Sequence, residues 1–136
     1  MTPHYLEDLH PGLTFASPAQ TVEAGRLDAF LSHYGTPTPA LMQPIFVSDF
    51  TMRLLVQGGA PLAGGIVGAG VENVSWPTPV SAGDALHVET EILEVQPSRK
   101  RPDVGRVKVL ARTLNQRGEA VHQLTASLMV PRRPST

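Results

Sequence analysis

The stretch Ser48-Asp49-Phe50-Thr51-Met52-Arg53-Leu54-Leu55-Val56-Gln57-Gly58 decides how this chain folds. Ser48 suits a helix N-cap, and Asp49 suits the positive end of the helix dipole. Phe50, Met52, Leu54, Leu55 and Val56 spread apolar groups around most of the circumference. A helix that is apolar nearly all round is usually a buried one. Gly58-Gly59 then stop it. A buried helix needs something to enclose it, and the rest of the chain supplies strands.

Four strands follow, over about 66–76, 85–96, 104–114 and 119–130. The second alternates Leu86, Val88, Thr90 and Ile92 against His87, Glu89 and Glu91. The third alternates Val107, Val109 and Ala111 against Arg106, Lys108 and Arg112. In the fourth, Ala120, His122, Leu124, Ala126, Leu128 and Val130 share one face. Period two is the mark of a half-buried strand. Ser81-Ala82-Gly83-Asp84 and Asn115-Gln116-Arg117-Gly118 are turn sequences, the latter short enough for a hairpin.

Upstream, 14–23 reads as a strand. Residues 24–34 read as a short helix, with Leu27, Phe30, Leu31 and Tyr34 on one face. Residues 36–47 carry Pro37, Pro39 and Pro44 and read as loop. Strand, short helix, buried helix, then four antiparallel strands is an α+β order. It describes a hot-dog fold: a curved antiparallel β-sheet wrapped around a central buried helix.

Composition agrees with a single domain over 1–136. The 13 prolines fall between apolar windows, so they punctuate elements and do not mark disorder. The absence of cysteine excludes disulfide and Cys-metal scaffolds. Eleven Lys and Arg against twelve Asp and Glu argue against nucleic acid as a partner. The uncharged run from Leu54 to Val71 contains six glycines and Pro61, which makes a poor membrane span. With no signal-peptide pattern at Met1 to Gly12, a cytoplasmic location is the expectation.

The sequence resembles the MaoC-like family of hot-dog proteins, which includes (R)-specific enoyl-CoA hydratases. Tyr5-Leu6-Glu7-Asp8-Leu9 with Pro11-Gly12 is similar to the family's opening. Pro79 to Leu86, Pro97 to Gly105 and Asn115 to Glu119 are similar to its three later turns. The resemblance implies an acyl-CoA-type thioester as ligand and a homodimer or higher even oligomer. No resident cofactor or metal is expected. It places the family's Gly-Asp-x-Asn-Pro-x-His motif on Gly35-Thr36-Pro37-Thr38-Pro39-Ala40-Leu41. The Asp position holds Thr36 and the His position holds Leu41. Adding water to an enoyl thioester needs a base and an acid, each worth about 10²–10⁴ in rate. Leu41 can be neither, and the hydroxyl of Thr36 needs a neighbouring base. The family mechanism is not expected to run on these positions.

Other residues could carry chemistry. Asp49 could activate water or a thioester beside the helix N-terminus, or simply complement the dipole. His33 could replace the lost acid–base group, or complement the end of its helix. Arg99, Lys100 and Arg101 could meet CoA phosphates, or form a solvated turn. His4, His10, His87 and His122 show no metal spacing. Three readings follow: an acyl-thioester-binding protein without hydratase activity, an active enzyme (a thioesterase using Asp49, or a hydratase with relocated residues), and a structural or assembly subunit.

Overall fold

A computed structural model describes residues 3–33 and 39–134, apart from the side chains of Leu31 and of residues 39–43. Thr36 therefore lies outside the described residues, as does the side chain of Leu41. The elements run in the order β1 (Thr14–Ala16), β2 (Gln20–Thr21), α1 (Ala24–His33), α2 (Pro39–Leu54), β3 (Gly68–Ser75), β4 (Ala85–Pro97), β5 (Val104–Leu114) and β6 (Ala120–Pro131). A 3₁₀ turn at Leu6–Asp8 precedes β1, and a π-helical turn at Leu55–Gly59 follows α2. The antiparallel sheet has the order β1-β4-β5-β6-β3, with β2 also on β4. This is the hot-dog arrangement, with α2 packed against the sheet.

The long strands follow the period-two pattern. Leu86, Val88, Thr90 and Ile92 of β4 are buried, as are Val107, Val109 and Ala111 of β5. Two turns are tied to each other by side chains. Asp84 accepts from the Ser81 N–H at 2.9 Å and from Gln116 Nε2 at 3.0 Å. Gln116 Oε1 in turn accepts from the Ala85 N–H at 3.0 Å. The turn motifs thus lock β4 to the β5–β6 hairpin. The expected strand over 14–23 is instead two short pieces, because Ser17-Pro18 interrupts it. Proline cannot donate to the ladder. Ser17 still bonds β4 through its backbone N–H to the Val88 carbonyl, and its hydroxyl accepts from the Val88 N–H.

The largest departure from the sequence reading concerns α2. Residues 39–47 are helix, not loop. Pro39 opens the helix, where a missing N–H costs nothing. Pro44 lies inside it, removing one bond to the Ala40 carbonyl at a cost on the order of 3 kcal/mol. Phe46, Val47, Phe50 and Leu54 offset that cost. All four are buried in one cluster with Val22, Val80, Leu86, Val88, Ala111 and Val121. Each such side chain contributes about 1.5–3 kcal/mol. Ser48 is consequently the tenth residue of α2, not its N-cap, and Asp49 is far from the helix N-terminus.

Nor is α2 buried all round. Ile45 and Met52 of α2, and Val56 of the π-helical turn that continues it, lie on the side away from the buried cluster and are 49%, 50% and 62% exposed. The folded chain leaves this side of the helix uncovered.

Beyond α2, the π-helical turn is clamped to the sheet. Thr90 Oγ1 donates to the Gly59 carbonyl at 2.6 Å. Gly59 itself has no room for a side chain, since a Cβ there would strike Val88 Cγ1. A second cluster, built from Leu6, Leu9, Leu62, Ile92, Val107, Val109, Leu128 and Val130, closes the other end of the sheet.

Candidate functional site

Register fixes the faces of β5 and β6. Val107 pairs with Leu128, Val109 with Ala126, Ala111 with Leu124, and Thr113 with His122. The inward row is thus apolar until its last pair, which is a threonine opposite a histidine. At that point the ladder shifts, and Val121 falls between the pairings of Thr113 and Leu114. Above this pair, α2 presents Ser48 and Thr51, three residues apart and so on one helix face.

The four polar groups form a continuous chain. Ser48 Oγ lies 3.1 Å from His122 Nε2. His122 Nδ1 lies 3.2 Å from Thr51 Oγ1, which is 2.6 Å from Thr113 Oγ1. His122, Thr51 and Thr113 are buried, His122 being only 1% exposed, while Ser48 is half-buried. Burial pushes the His122 pKa below its ordinary value of 6.5, so the imidazole is neutral at pH 7. A neutral imidazole holds one N–H and one lone pair. When Nδ1–H donates to Thr51, Nε2 is left to accept the Ser48 hydroxyl proton. This is the hydroxyl–base–orienter arrangement that activates a hydroxyl.

Trp76, just beyond β3, lies against His122 with ring centroids 5.5 Å apart. It also lines a hollow of about 180 Å³ with Pro44, Val47, Thr78, Pro79, Val80 and Val121. Val47 and Val121 directly precede Ser48 and His122 in the chain. The hollow and the polar chain are therefore neighbours sharing one indole wall. A larger hollow of about 510 Å³ lies over β1, β4 and β5, lined among others by Glu89, Glu91 and Arg112. Those charged side chains belong to the outward row of the sheet, away from the imidazole.

The residues singled out from sequence do not converge here. Asp49 is exposed on α2 and pairs with Arg53 at 3.4 Å, so the helix N–H groups invoked for it are absent. His33 ends α1 on the exposed surface. Arg99, Lys100 and Arg101 occupy the β4–β5 turn, where Arg101 pairs with Asp103 at 3.2 Å. That turn is at the Val104 end of β5 and His122 is at the Thr113 end. They lie about 30 Å apart along the strand at roughly 3.3 Å per residue. His122 itself carries a legible signal, a histidine in the apolar row of β6, but a search for metal spacing passes over it.

A scan against protein-family models gives no match, and a search of curated proteins gives none. Solved structures do match. The chain is 43% identical to a MaoC-like dehydratase from Rhodospirillum rubrum, with a TM-score of 0.88, covering 97% of this chain and 99% of that one. It is similar in fold to the unliganded (R)-hydratase of Pseudomonas aeruginosa, at 21% identity and a TM-score of 0.72, covering 95% and 86% of the two chains. It also matches a double-hot-dog protein from Mycobacterium tuberculosis, at 16% identity and a TM-score of 0.71, covering 98% of this chain and 46% of that one.

Proposed function

The chain belongs to the MaoC-like dehydratase family, and on that premise we propose that it binds an acyl thioester of the coenzyme A type in the hollow beside α2. The observation that carries this reading is the hollow itself, with Trp76 as the wall it shares with a hydroxyl-rich polar chain. Its volume of about 180 Å³ is below the roughly 300–1,000 Å³ of a whole-ligand pocket. It suits the reacting end of a thioester, with the rest of the ligand outside.

The natural probe is crotonyl-CoA, a four-carbon 2-enoyl thioester, compared with CoA alone. A ligand that binds only the folded state at 100 times its Kd adds about 2.7 kcal/mol of stability. Thermal unfolding is expected to shift upward with crotonyl-CoA, and Thr78→Phe, which fills the hollow, is expected to remove the shift. No stabilisation by any CoA ester would sink the reading and favour a purely structural subunit.

The working unit in this reading is a homodimer or a larger even assembly. β3 is an edge strand, and every one of its residues is exposed. Val71 pairs with Ala126, so it belongs to the row that faces inward elsewhere, yet it is 60% exposed. Uncovered apolar groups on both β3 and α2 suit a second copy of the chain. Light scattering is expected to give a dimer that Val71→Lys weakens; a monomer at micromolar concentration would contradict it.

A further inference from the structure

We propose that the hollow beside α2 selects short, uncharged acyl groups, with Val80 and Val121 as the stop that sets their length. The proposal rests on the thioester-binding reading above and names the class of acyl group that site takes.

The hollow has a rim and a floor. Pro44 and Thr78 are half-buried, and Trp76 and Pro79 are exposed, so these four meet the solvent. Val47, Val80 and Val121 are buried. They come from α2, from the connection between β3 and β4, and from β6. All three belong to the core cluster that also holds Phe46, Phe50 and Leu86. The floor is therefore the core itself. An acyl group enters from the rim, with its far end toward Val80 and Val121 and its thioester at the mouth.

Protein cores are packed about as densely as organic crystals, so this floor does not yield to a longer chain. A chain carbon needs about the room of one water in the liquid, roughly 30 Å³. The hollow of about 180 Å³ thus takes roughly six carbons. A longer acyl group has to force its way into the core cluster or hold its thioester clear of the rim. Either way it loses contacts that a shorter one keeps.

The same walls exclude charge. Among the described residues that line the hollow none is ionisable. The hydroxyl of Thr78 and the indole N–H of Trp76 are the only polar side-chain groups among them. Ser48 and His122 follow Val47 and Val121 in the chain but are not among its walls. A carboxylate carried inward on an acyl group finds no cation there, and an unpaired buried charge is costly.

The test is calorimetric titration of the full chain with a series of saturated acyl-CoA esters. From acetyl to hexanoyl, affinity is expected to rise about fourfold per buried methylene. Decanoyl-CoA is then expected to bind about tenfold or more below hexanoyl-CoA, as its contacts are lost. Butyryl and succinyl groups have the same carbon count and differ in a terminal carboxylate. Succinyl-CoA is expected to bind about 100-fold or more below butyryl-CoA. Val121→Ala opens the floor and is expected to raise octanoyl-CoA affinity about tenfold. Val80→Ala is expected to act in the same direction. If neither variant folds, the wild-type series still decides. Affinity that keeps rising through decanoyl-CoA, or equal binding of succinyl-CoA and butyryl-CoA, overturns the proposal while sparing the binding reading. A length optimum that both folded variants leave unmoved overturns it too. Absence of binding by every ester overturns both.

Discussion

The indole of Trp76 lies against the imidazole of His122, with ring centroids 5.5 Å apart and planes inclined by 51°. Trp76 is the only tryptophan of the chain, so its emission reports directly on that imidazole. Protonated imidazole quenches a neighbouring indole. The fluorescence is expected to stay constant above pH 6.5 and to fall on acidification, with a midpoint below 6.5, because burial lowers the His122 pKa. His122→Gln is expected to abolish the transition. A midpoint above 6.5 would show that the ring is not buried as described.

The same shift has a thermodynamic consequence. A folded-state pKa below the unfolded one means that the unfolded chain binds the proton first. Stability is then full above about pH 6.5 and is lost as pH falls from there toward the folded pKa. Denaturant unfolding between pH 7 and 5 is expected to show this slope in wild type and a flatter one in His122→Gln.

Asp84 acts in a lower window. The Ser81 N–H and then the Gln116 amide hold its carboxyl below the usual 3.8. Its stabilising contribution is present above pH 3.8 and disappears as pH falls through the depressed value. Asp84→Ala is expected to cost about 1–3 kcal/mol at pH 7, since it strands the Ser81 and Gln116 donors. Urea midpoints measure this, and an unchanged midpoint would remove the turn lock from the account.

Gly59 tests the clamp between the end of α2 and β4. An added Cβ meets Val88 Cγ1 and sits 3.1 Å from the Leu54 carbonyl oxygen. Gly59→Ala is expected to destabilise by roughly 1–3 kcal/mol, the usual cost of overpacking. Thermal unfolding at neutral pH checks it.

The basic turn bears on where CoA lies. Arg99, Lys100 and Arg101 sit about 30 Å along β5 from the His122 pair at roughly 3.3 Å per residue. Reversing all three charges is expected to change crotonyl-CoA affinity by less than about twofold. A tenfold loss would place the ligand's phosphates on that turn.

Much of the architecture is legible in local patterns. The alternation of β4, β5 and β6 names their buried faces, because period two survives wherever one face meets a core. The turn residues Asp84, Asn115 and Gln116 mark the corners that their side chains then hold. The start of α2 is not legible, because Pro44 signals a break that the burial of Phe46 and Val47 overrides. That error carried Ser48 and Asp49 to a helix end they do not occupy. The candidate site is hidden for a related reason. Ser48, Thr51, Thr113 and His122 come from three elements 74 residues apart at the extremes, and only packing brings them together.

Titration of Trp76 fluorescence with crotonyl-CoA tests the central claim most directly. The indole lines the hollow, so a thioester entering it must alter the emission. A saturable change with crotonyl-CoA, absent with CoA alone and lost in Thr78→Phe, is the expected result. An emission spectrum unmoved by saturating ester, or a change that Thr78→Phe leaves intact, would contradict it.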